Sequence, residues 1–135
     1  MPIITARPLD SEKITINLGL VDLGKVDLMV QEGFYSSRTD FIRTAIRNHL
    51  ASHEGALQQA ITRKTLALGL MDFSRADLEA LKKSGKRLRI QVVGLARIAE
   101  DVPPALALAT IESVSVLGAF HASAAVRAAL KDRIH

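Results

Sequence analysis

Residues 12–50, EKITINLGLVDLGKVDLMVQEGFYSSRTDFIRTAIRNHL, contain in order the patterns of a strand, a helix, a turn and a second helix. At the start of this stretch three aliphatic residues alternate with three polar ones, Ile14, Ile16 and Leu18 with Lys13, Thr15 and Asn17. The alternation predicts a strand with one buried face and one polar face. A lone strand leaves both edges unpaired, and no second strand pattern lies nearby in the chain. We therefore expect this strand to pair with the same strand of a second copy.

The first helix is predicted from apolar residues at helical spacing. Leu23, Val26, Met29 and Val30 form a stripe that ends at Gly33, a residue suited to a left-handed C-terminal cap. The helix is therefore expected over residues 21–32.

The second helix is predicted to begin after a serine-rich turn. Ser37 and Asp40 have the spacing of a capping box, which satisfies free amides at a helix start. The buried face is predicted from Phe41, Ile42, Ala45, Ile46 and Leu50. The helical spacing continues past Leu50, although Gly55 weakens it, and predicts one long helix or two abutting helices up to about Lys64.

This ordered combination resembles the ribbon-helix-helix family of DNA-binding regulators, of the CopG, Arc and MetJ type. The resembling segments are KITINL at 13–18, GFYSSR at 33–38 and FIRTAI at 41–46. In that family two chains pair their strands into an antiparallel ribbon that enters the major groove, and the second helix of each chain points its N-terminus at a phosphate. The resemblance implies an intertwined dimer.

The resemblance also implies roles for single residues. Carried over by position, Lys13, Thr15 and Asn17 would face the bases, where lysine can donate to guanine, asparagine can pair with adenine and the threonine methyl can touch thymine. The residues implied to contact phosphates are Ser36, Ser37, Arg38 and Arg43. The residues implied in the dimer core are Ile14, Ile16, Leu18, Phe41, Ile42 and Ile46. Two simpler explanations stay open, because any solvated strand face carries polar residues and a helix start needs a serine cap with or without DNA.

The composition fits a globular protein of one ordinary domain or two small ones, with 135 residues, 48% hydrophobic and 24% charged. The absence of cysteine fits a reducing compartment, and no apolar run reaches the ~18 residues of a membrane span or resembles a signal peptide. A cytoplasmic protein is expected. The net charge is +4, yet residues 1–54 contain 6 Lys+Arg against 7 Asp+Glu, so the DNA hypothesis depends on the motif and not on bulk charge.

The C-terminal part of the chain contains a weak internal repeat. IQVVG at 90–94 aligns with VSVLG at 114–118, and a more degenerate copy, LALG at 66–69, precedes them. Each unit is predicted as strand, glycine turn and short helix, with helix starts near Ser74, Asp101 and Ser123. The fold class is therefore α+β, with a flexible arm at 1–11, a ribbon-helix-helix domain at 12–64 and a small α/β domain of about three strand-turn-helix repeats at 65–135.

Two architectures are compatible with the C-terminal order of elements. Repeats of one strand and one helix can stack into a continuous sheet, or the same elements can form a ferredoxin-like regulatory domain. We favour the stack because of the repeat. Five of its strand residues are too apolar for an exposed edge, which predicts self-association through residues 65–135: Val92, Val93, Val114, Val116 and Leu117.

Two further groups of residues could bind a ligand, a histidine pair and a cluster of basic residues. His49 and His53 lie four residues apart, a spacing that can serve a metal, but a solvated helix face is the preferred interpretation. The basic cluster of Lys82, Lys83, Lys86, Arg87 and Arg89 could hold flanking phosphates or only solvate a loop. No catalytic constellation is present, so no enzymatic activity, cofactor or metal is predicted.

The sequence therefore predicts a sequence-specific DNA-binding transcriptional regulator, a repressor, that acts as a homodimer and assembles further through its C-terminal half. Its expected partners are double-stranded DNA and further copies of itself, with no membrane. The alternative is an antitoxin or structural protein that uses the ribbon mainly to dimerise and binds another protein through its C-terminal half. Antitoxins of this fold commonly use a disordered tail, and this tail is too apolar to be disordered.

Overall fold

The computed structural model describes residues 11–135, which divide into two compact units, 11–59 and 60–135. The predicted arm lies, apart from Ser11, outside the described residues. Three helices come first: α1 (Leu20–Gln31), α2 (Arg38–Ser52) and α3 (Glu54–Arg63). Strands and helices then alternate: β1 (Ala67–Phe73), α4 (Arg75–Ser84), β2 (Leu88–Ile98), α5 (Pro104–Thr110), β3 (Ile111–His121) and α6 (Ala124–Ala129), before a 3₁₀ turn, Lys131–Arg133. Between residues 11 and 135 no helix is long and apolar enough to cross a membrane.

Helix α1 ends as the sequence predicts, at a left-handed glycine. Gly33 has φ +85°. Its N–H donates to the carbonyl of Val30 at 3.0 Å, and the N–H of Phe34 donates to the carbonyl of Met29 at 3.0 Å. This pair of hydrogen bonds is the Schellman motif, which satisfies carbonyls that a helix end leaves free and turns the chain sharply.

The second predicted helix is present as two abutting helices, α2 and α3. The Ser37 hydroxyl accepts a hydrogen bond from the N–H of Asp40 at 3.0 Å, so Ser37 is the N-cap of α2 as predicted. The interruption lies at His53, the C-cap of α2, which has ψ +14°. Gly55, the position from which we expected a weakness, lies inside α3.

The N-terminal unit has almost no hydrophobic core of its own. Val26 is its one buried residue among the described positions, and α2 buries none. The aliphatic residues of the predicted ribbon are open to solvent, with Ile14 73%, Ile16 58% and Leu18 40% exposed. A helical hairpin this exposed cannot offset the entropy of folding, so its apolar face needs a further surface to pack against.

Residues 11–19 are neither helix nor strand in this single chain. The strand predicted over residues 13–18 is therefore not observed. A strand acquires its ladder of hydrogen bonds only beside a partner strand, and residues 13–18 were expected to find that partner in a second copy of the chain.

The C-terminal unit contains a three-stranded parallel sheet in the order β1-β2-β3. Each strand is followed by a short helix, and consecutive strands are neighbours in the sheet. The ferredoxin-like alternative is wrong for this region, because that fold pairs its strands antiparallel. Two of the three predicted helix starts are observed: Ser74 caps α4 in a full capping box with Asp77, and the Ser123 hydroxyl accepts from the N–H of Val126. Asp101 does not cap α5, whose N-cap is Pro103.

The repeated glycines do not form turns, which corrects the sequence prediction. Gly69, Gly94 and Gly118 lie inside the three strands, directly opposite one another in the register of the sheet. All three have positive φ, at +125°, +135° and +118°. Each strand runs on past its glycine, so the glycine marks a local distortion within the strand, and the turn to the helix comes later.

One face of the sheet is covered by the helices and forms the core. Its buried residues include Leu78 from α4, Leu106 and Ala107 from α5, and Val126 from α6. The strand residues facing them include Ile90 and Val92 from β2 and Val114 from β3. Val92 and Val114 are therefore buried within the chain itself, and they no longer argue for self-association. Leu117, in contrast, is 60% exposed.

Candidate nucleic-acid interface

The three predicted base-contacting residues lie at the start of the described chain. Lys13, Thr15 and Asn17 are all exposed, as are the aliphatic residues between them. Neither side of this segment is covered by its own chain. The structure therefore leaves the polar side chains accessible, and it leaves Ile14 and Ile16 more than half exposed.

The turn between α1 and α2 is held by its own side chains. The Tyr35 and Phe41 rings meet edge to face, with 4.9 Å between centroids, which is a favourable aromatic geometry. Together with the left-handed Gly33, this contact fixes the direction in which α2 leaves the turn. Two of the predicted dimer-core residues, Phe41 and Ile42, are half-buried at this point.

The N-terminus of α2 combines free amides with a nearby carboxylate. The first hydrogen bond of the helix, from the N–H of Phe41 to the carbonyl of Ser37 at 3.1 Å, leaves the earlier amides of Arg38 and Thr39 without a partner inside the helix. Such amides, with the helix dipole, attract anions. Asp40 already places a negative charge at this helix start, which reduces its attraction for a further anion. Its carboxylate accepts the Ser36 N–H at 2.9 Å and the Ser36 hydroxyl at 3.2 Å.

Ser36 and Ser37, both predicted to contact phosphates, are thus already engaged in capping. The Ser37 hydroxyl accepts from Asp40, and the Ser36 donors point at the Asp40 carboxylate. The simpler explanation of these serines, a helix cap, is sufficient for their hydrogen bonds in this chain.

Arg38 forms a two-pronged ion pair with Asp27 of α1. Its Nε donates to Oδ1 at 2.7 Å and its Nη2 donates to Oδ2 at 2.8 Å. The hydrogen bond from Arg38 holds the pKa of the Asp27 carboxyl below its ordinary value. The side chains remain about half exposed, 56% for Arg38 and 47% for Asp27, so the pair is partly screened by water.

Sequence inspection did not find the partner of Arg38. Asp27 lies eleven residues earlier, on another helix, and the contact depends on how α1 packs against α2. The available signal in the sequence was the presence of two acidic residues on α1, Asp22 and Asp27. Arg43 and Arg47, four residues apart on one side of α2, form no ion pair within residues 11–135.

His49 and His53 contact each other, and no third metal-ligating side chain lies with them among residues 11–135. Their rings meet edge to face at 4.9 Å between centroids. In the part of the chain that the structure describes, no three His, Cys, Asp or Glu residues cluster as metal ligands would.

The basic cluster of the C-terminal unit is spread over the end of α4 and the start of β2. Lys82 and Lys83 lie in the last turn of α4, where positive charge complements the helix dipole. Arg89 is paired with Glu112 of β3, and this pairing lowers the pKa of Glu112. Part of the cluster is therefore neutralised within the unit.

Comparison with known proteins identifies the family of the chain. Residues 9–127 match the model of the Ribbon-Helix-Helix transcriptional regulator family. The match includes the predicted ribbon segment, helices α1, α2 and α3 and most of the sheet unit, so the C-terminal region is part of what the family shares. Comparison with curated proteins and with solved structures gave no match. The chain belongs to the Ribbon-Helix-Helix transcriptional regulator family.

Proposed function

We propose that this protein is a dimeric, sequence-specific DNA-binding repressor that reads the major groove with a two-stranded ribbon. Each chain contributes residues 13–18 to the ribbon, with Lys13, Thr15 and Asn17 facing the bases. The N-terminus of α2 and the cations of its exposed side, Arg38 and Arg43, face the phosphates.

The observation that supports this proposal most strongly is the exposed aliphatic side of the N-terminal segment. Ile14 and Ile16 are more than half exposed, and the helices beside them bury only Val26. Pairing two chains through residues 13–18 would cover these aliphatic side chains and leave the polar set outward in one step, because side chains alternate along a strand. The same step would give the N-terminal unit the core that it lacks.

The further contacts of the dimer core follow from the exposed face of α2. Ile46 is 48% exposed, and Phe41 and Ile42 are half-buried. These residues would meet their counterparts, or the ribbon, in the second chain. We assign to the C-terminal unit the assembly of dimers into larger species.

A rival function is that of an antitoxin or partner-binding protein that uses the ribbon only to dimerise. A disordered tail that folds on a toxin does not fit residues 60–135, which contain a parallel sheet and twelve buried core residues. The two functions differ in one observable, because only the regulator discriminates among DNA sequences.

The experiment is selection of bound fragments from sheared genomic DNA of the source organism by the purified full chain. Enrichment of a few fragments that share a two-fold symmetric sequence is the expected result, since a symmetric dimer favours a symmetric site. Uniform recovery of all fragments at moderate salt would contradict sequence-specific binding.

A further inference from the structure

Three glycines form a ladder across the C-terminal sheet. Gly69 of β1 lies opposite Gly94 of β2, which lies opposite Gly118 of β3. A Cβ added to Gly94 would overlap the carbonyl oxygen of Gly69, and a Cβ added to Gly118 would overlap the carbonyl oxygen of Gly94. At two rungs, therefore, glycine is required because the carbonyl of the preceding strand fills the space of a side chain.

The first rung has the same backbone and no such neighbour. Gly69 has φ +125°, close to the values of Gly94 and Gly118. A Cβ added to Gly69 would meet nothing within 4 Å. Gly69 thus has nearly the same φ as the two glycines that receive the carbonyl of a parallel neighbour, but it lies on the edge where no strand of residues 11–135 is present.

The two edges of the sheet differ in how they are covered. On the β3 edge the chain's own C-terminus lies alongside: Ile134 bridges to Val114, and the N–H of His135 donates to the carbonyl of Val114 at 2.8 Å. Further along β3, Arg127 donates to the carbonyl of Phe120 at 2.7 Å. The β3 edge is therefore partly closed to an incoming strand.

The β1 edge is open and apolar. Leu68 is 65% exposed, Leu70 is 59% exposed and Met71 is 37% exposed. An open edge strand with such side chains is a template for pairing with another strand, and proteins that keep such an edge free of partners usually protect it with charge or proline. Between Ala67 and Met71 this strand contains neither.

We propose that β1 pairs antiparallel with β1 of a second copy about a two-fold axis, which joins two three-stranded sheets into one of six strands. This deepens the assembly role in the proposed function by naming its interface. A head-to-tail arrangement would need the β3 edge, which the C-terminus already covers in part, at Val114. Pairing of β1 with itself uses the same open edge twice and closes after two copies, as isologous interfaces do.

Charge separation supports the antiparallel direction. Arg63 and Lys64 lie shortly before β1, and Asp72, near its end, already pairs with Arg97 of β2 at 2.6 Å. Antiparallel pairing brings the start of one strand beside the end of the other, so the basic pairs of the two chains lie at opposite ends of the joined strands and do not repel each other. The leucines would meet in the middle, where cross-strand apolar pairs stabilise a sheet.

The absence of cysteine from the chain makes cross-linking a clean test. Leu68→Cys and Leu70→Cys are placed singly in the full chain and treated with a short bis-maleimide, with Leu117→Cys as the matched control on the other edge strand at 60% exposure. We expect covalent pairs from at least one β1 position and not from Leu117→Cys. Equal yields at both edges, or pairs formed between Leu70→Cys and Leu117→Cys chains in a mixture, would overturn the proposal.

A second variant tests pairing without relying on proximity. Adding Leu70→Lys to Leu68→Cys should lower the yield of covalent pairs at least about tenfold, because two like charges would lie close together on the paired strands. Adding Leu117→Lys should leave the yield unchanged. A yield that Leu70→Lys does not lower would overturn the proposal.

DNA binding measured on the same proteins separates this inference from the proposed function. Leu70→Lys should bind a single site as the parent does, with circular dichroism unchanged. Cross-linking in a protein that binds no DNA would refute the repressor and leave the β1 interface standing. Specific DNA binding without cross-linking would refute the β1 interface and leave the repressor standing.

Discussion

Arg38 donates two parallel hydrogen bonds to Asp27, from Nε to Oδ1 at 2.7 Å and from Nη2 to Oδ2 at 2.8 Å, and so joins the first turn of α2 to α1. The pair has two consequences. It fixes the angle of the helix whose N-terminus is proposed to face a phosphate, and it neutralises one of the cations proposed to bind there. Arg38 therefore links α1 to α2 in this chain, and it would have to leave Asp27 before it could bind a DNA phosphate.

Removing the carboxylate charge should strengthen DNA binding in a sequence-independent way. Asp27→Asn releases Arg38 for a phosphate contact, so we expect the affinity for any DNA to rise and the slope of log K against log salt to steepen by about 1. Titrations at several salt concentrations measure it. Asp22→Asn is the control, since Asp22 lies on the same helix without this ion pair. Identical effects of the two variants would mean that only net charge changed.

The same pair predicts a pH dependence of stability. Asp27 has a lowered pKa in the folded chain, so its contribution is fully present above the unfolded carboxyl's ordinary value of 3.8. The contribution is lost as the pH falls through the lower value of the folded state. Urea unfolding of the parent and Asp27→Asn should therefore differ at pH 7 and converge in acid. If the difference in the free energy of unfolding between the two proteins grows on acidification, the Asp27–Arg38 pair does not stabilise the fold in the way stated here.

A charge on the aliphatic side of the ribbon should abolish the dimer. Ile16→Lys puts an ammonium into a core built by two chains, and we expect a loss of about 3 kcal/mol or more in association, with melting of α1 and α2. The C-terminal unit has its own core and should retain its secondary structure. Light scattering and circular dichroism report both. Thr15→Lys, one residue away on the polar side, should still dimerise; a folded Ile16→Lys monomer would argue against the shared core.

The glycine ladder predicts that replacing glycine by alanine lowers the free energy of unfolding by different amounts at Gly94 and Gly69. Gly94→Ala forces a Cβ against the Gly69 carbonyl and should destabilise the C-terminal unit by about 3 kcal/mol or more. Gly69→Ala meets no atom of its own chain and should cost only the strain of its positive φ, about 1–3 kcal/mol, which Gly94→Ala carries in addition to the overlap. Urea denaturation of dilute protein compares them, and equal costs would remove the steric explanation of the ladder.

Much of this fold could be predicted because its signals are local. Ser37, Ser74 and Gly33 mark helix ends through hydrogen bonds to residues three or four positions away, and those bonds are present. What sequence reasoning missed depends on distant residues. The space at Gly94 is filled by a carbonyl 25 positions earlier, and the partner of Arg38 is set by the packing of two helices. The burial of Val92 and Val114 depends on the helices that pack on the same face of the sheet. The ribbon, as proposed, would form only with a second chain.

The most direct test of the central claim is the affinity of ribbon variants for the selected DNA sequence. Lys13→Ala, Thr15→Ala and Asn17→Ala should each weaken specific binding by about 1–3 kcal/mol, with the dimer intact and with binding to unrelated DNA little changed for Thr15→Ala and Asn17→Ala. Lys82→Ala in the C-terminal basic cluster removes the same charge as Lys13→Ala away from the ribbon and should leave discrimination between the two DNAs unaltered. If all three ribbon variants bind the selected sequence as tightly as the parent does, the ribbon does not read DNA.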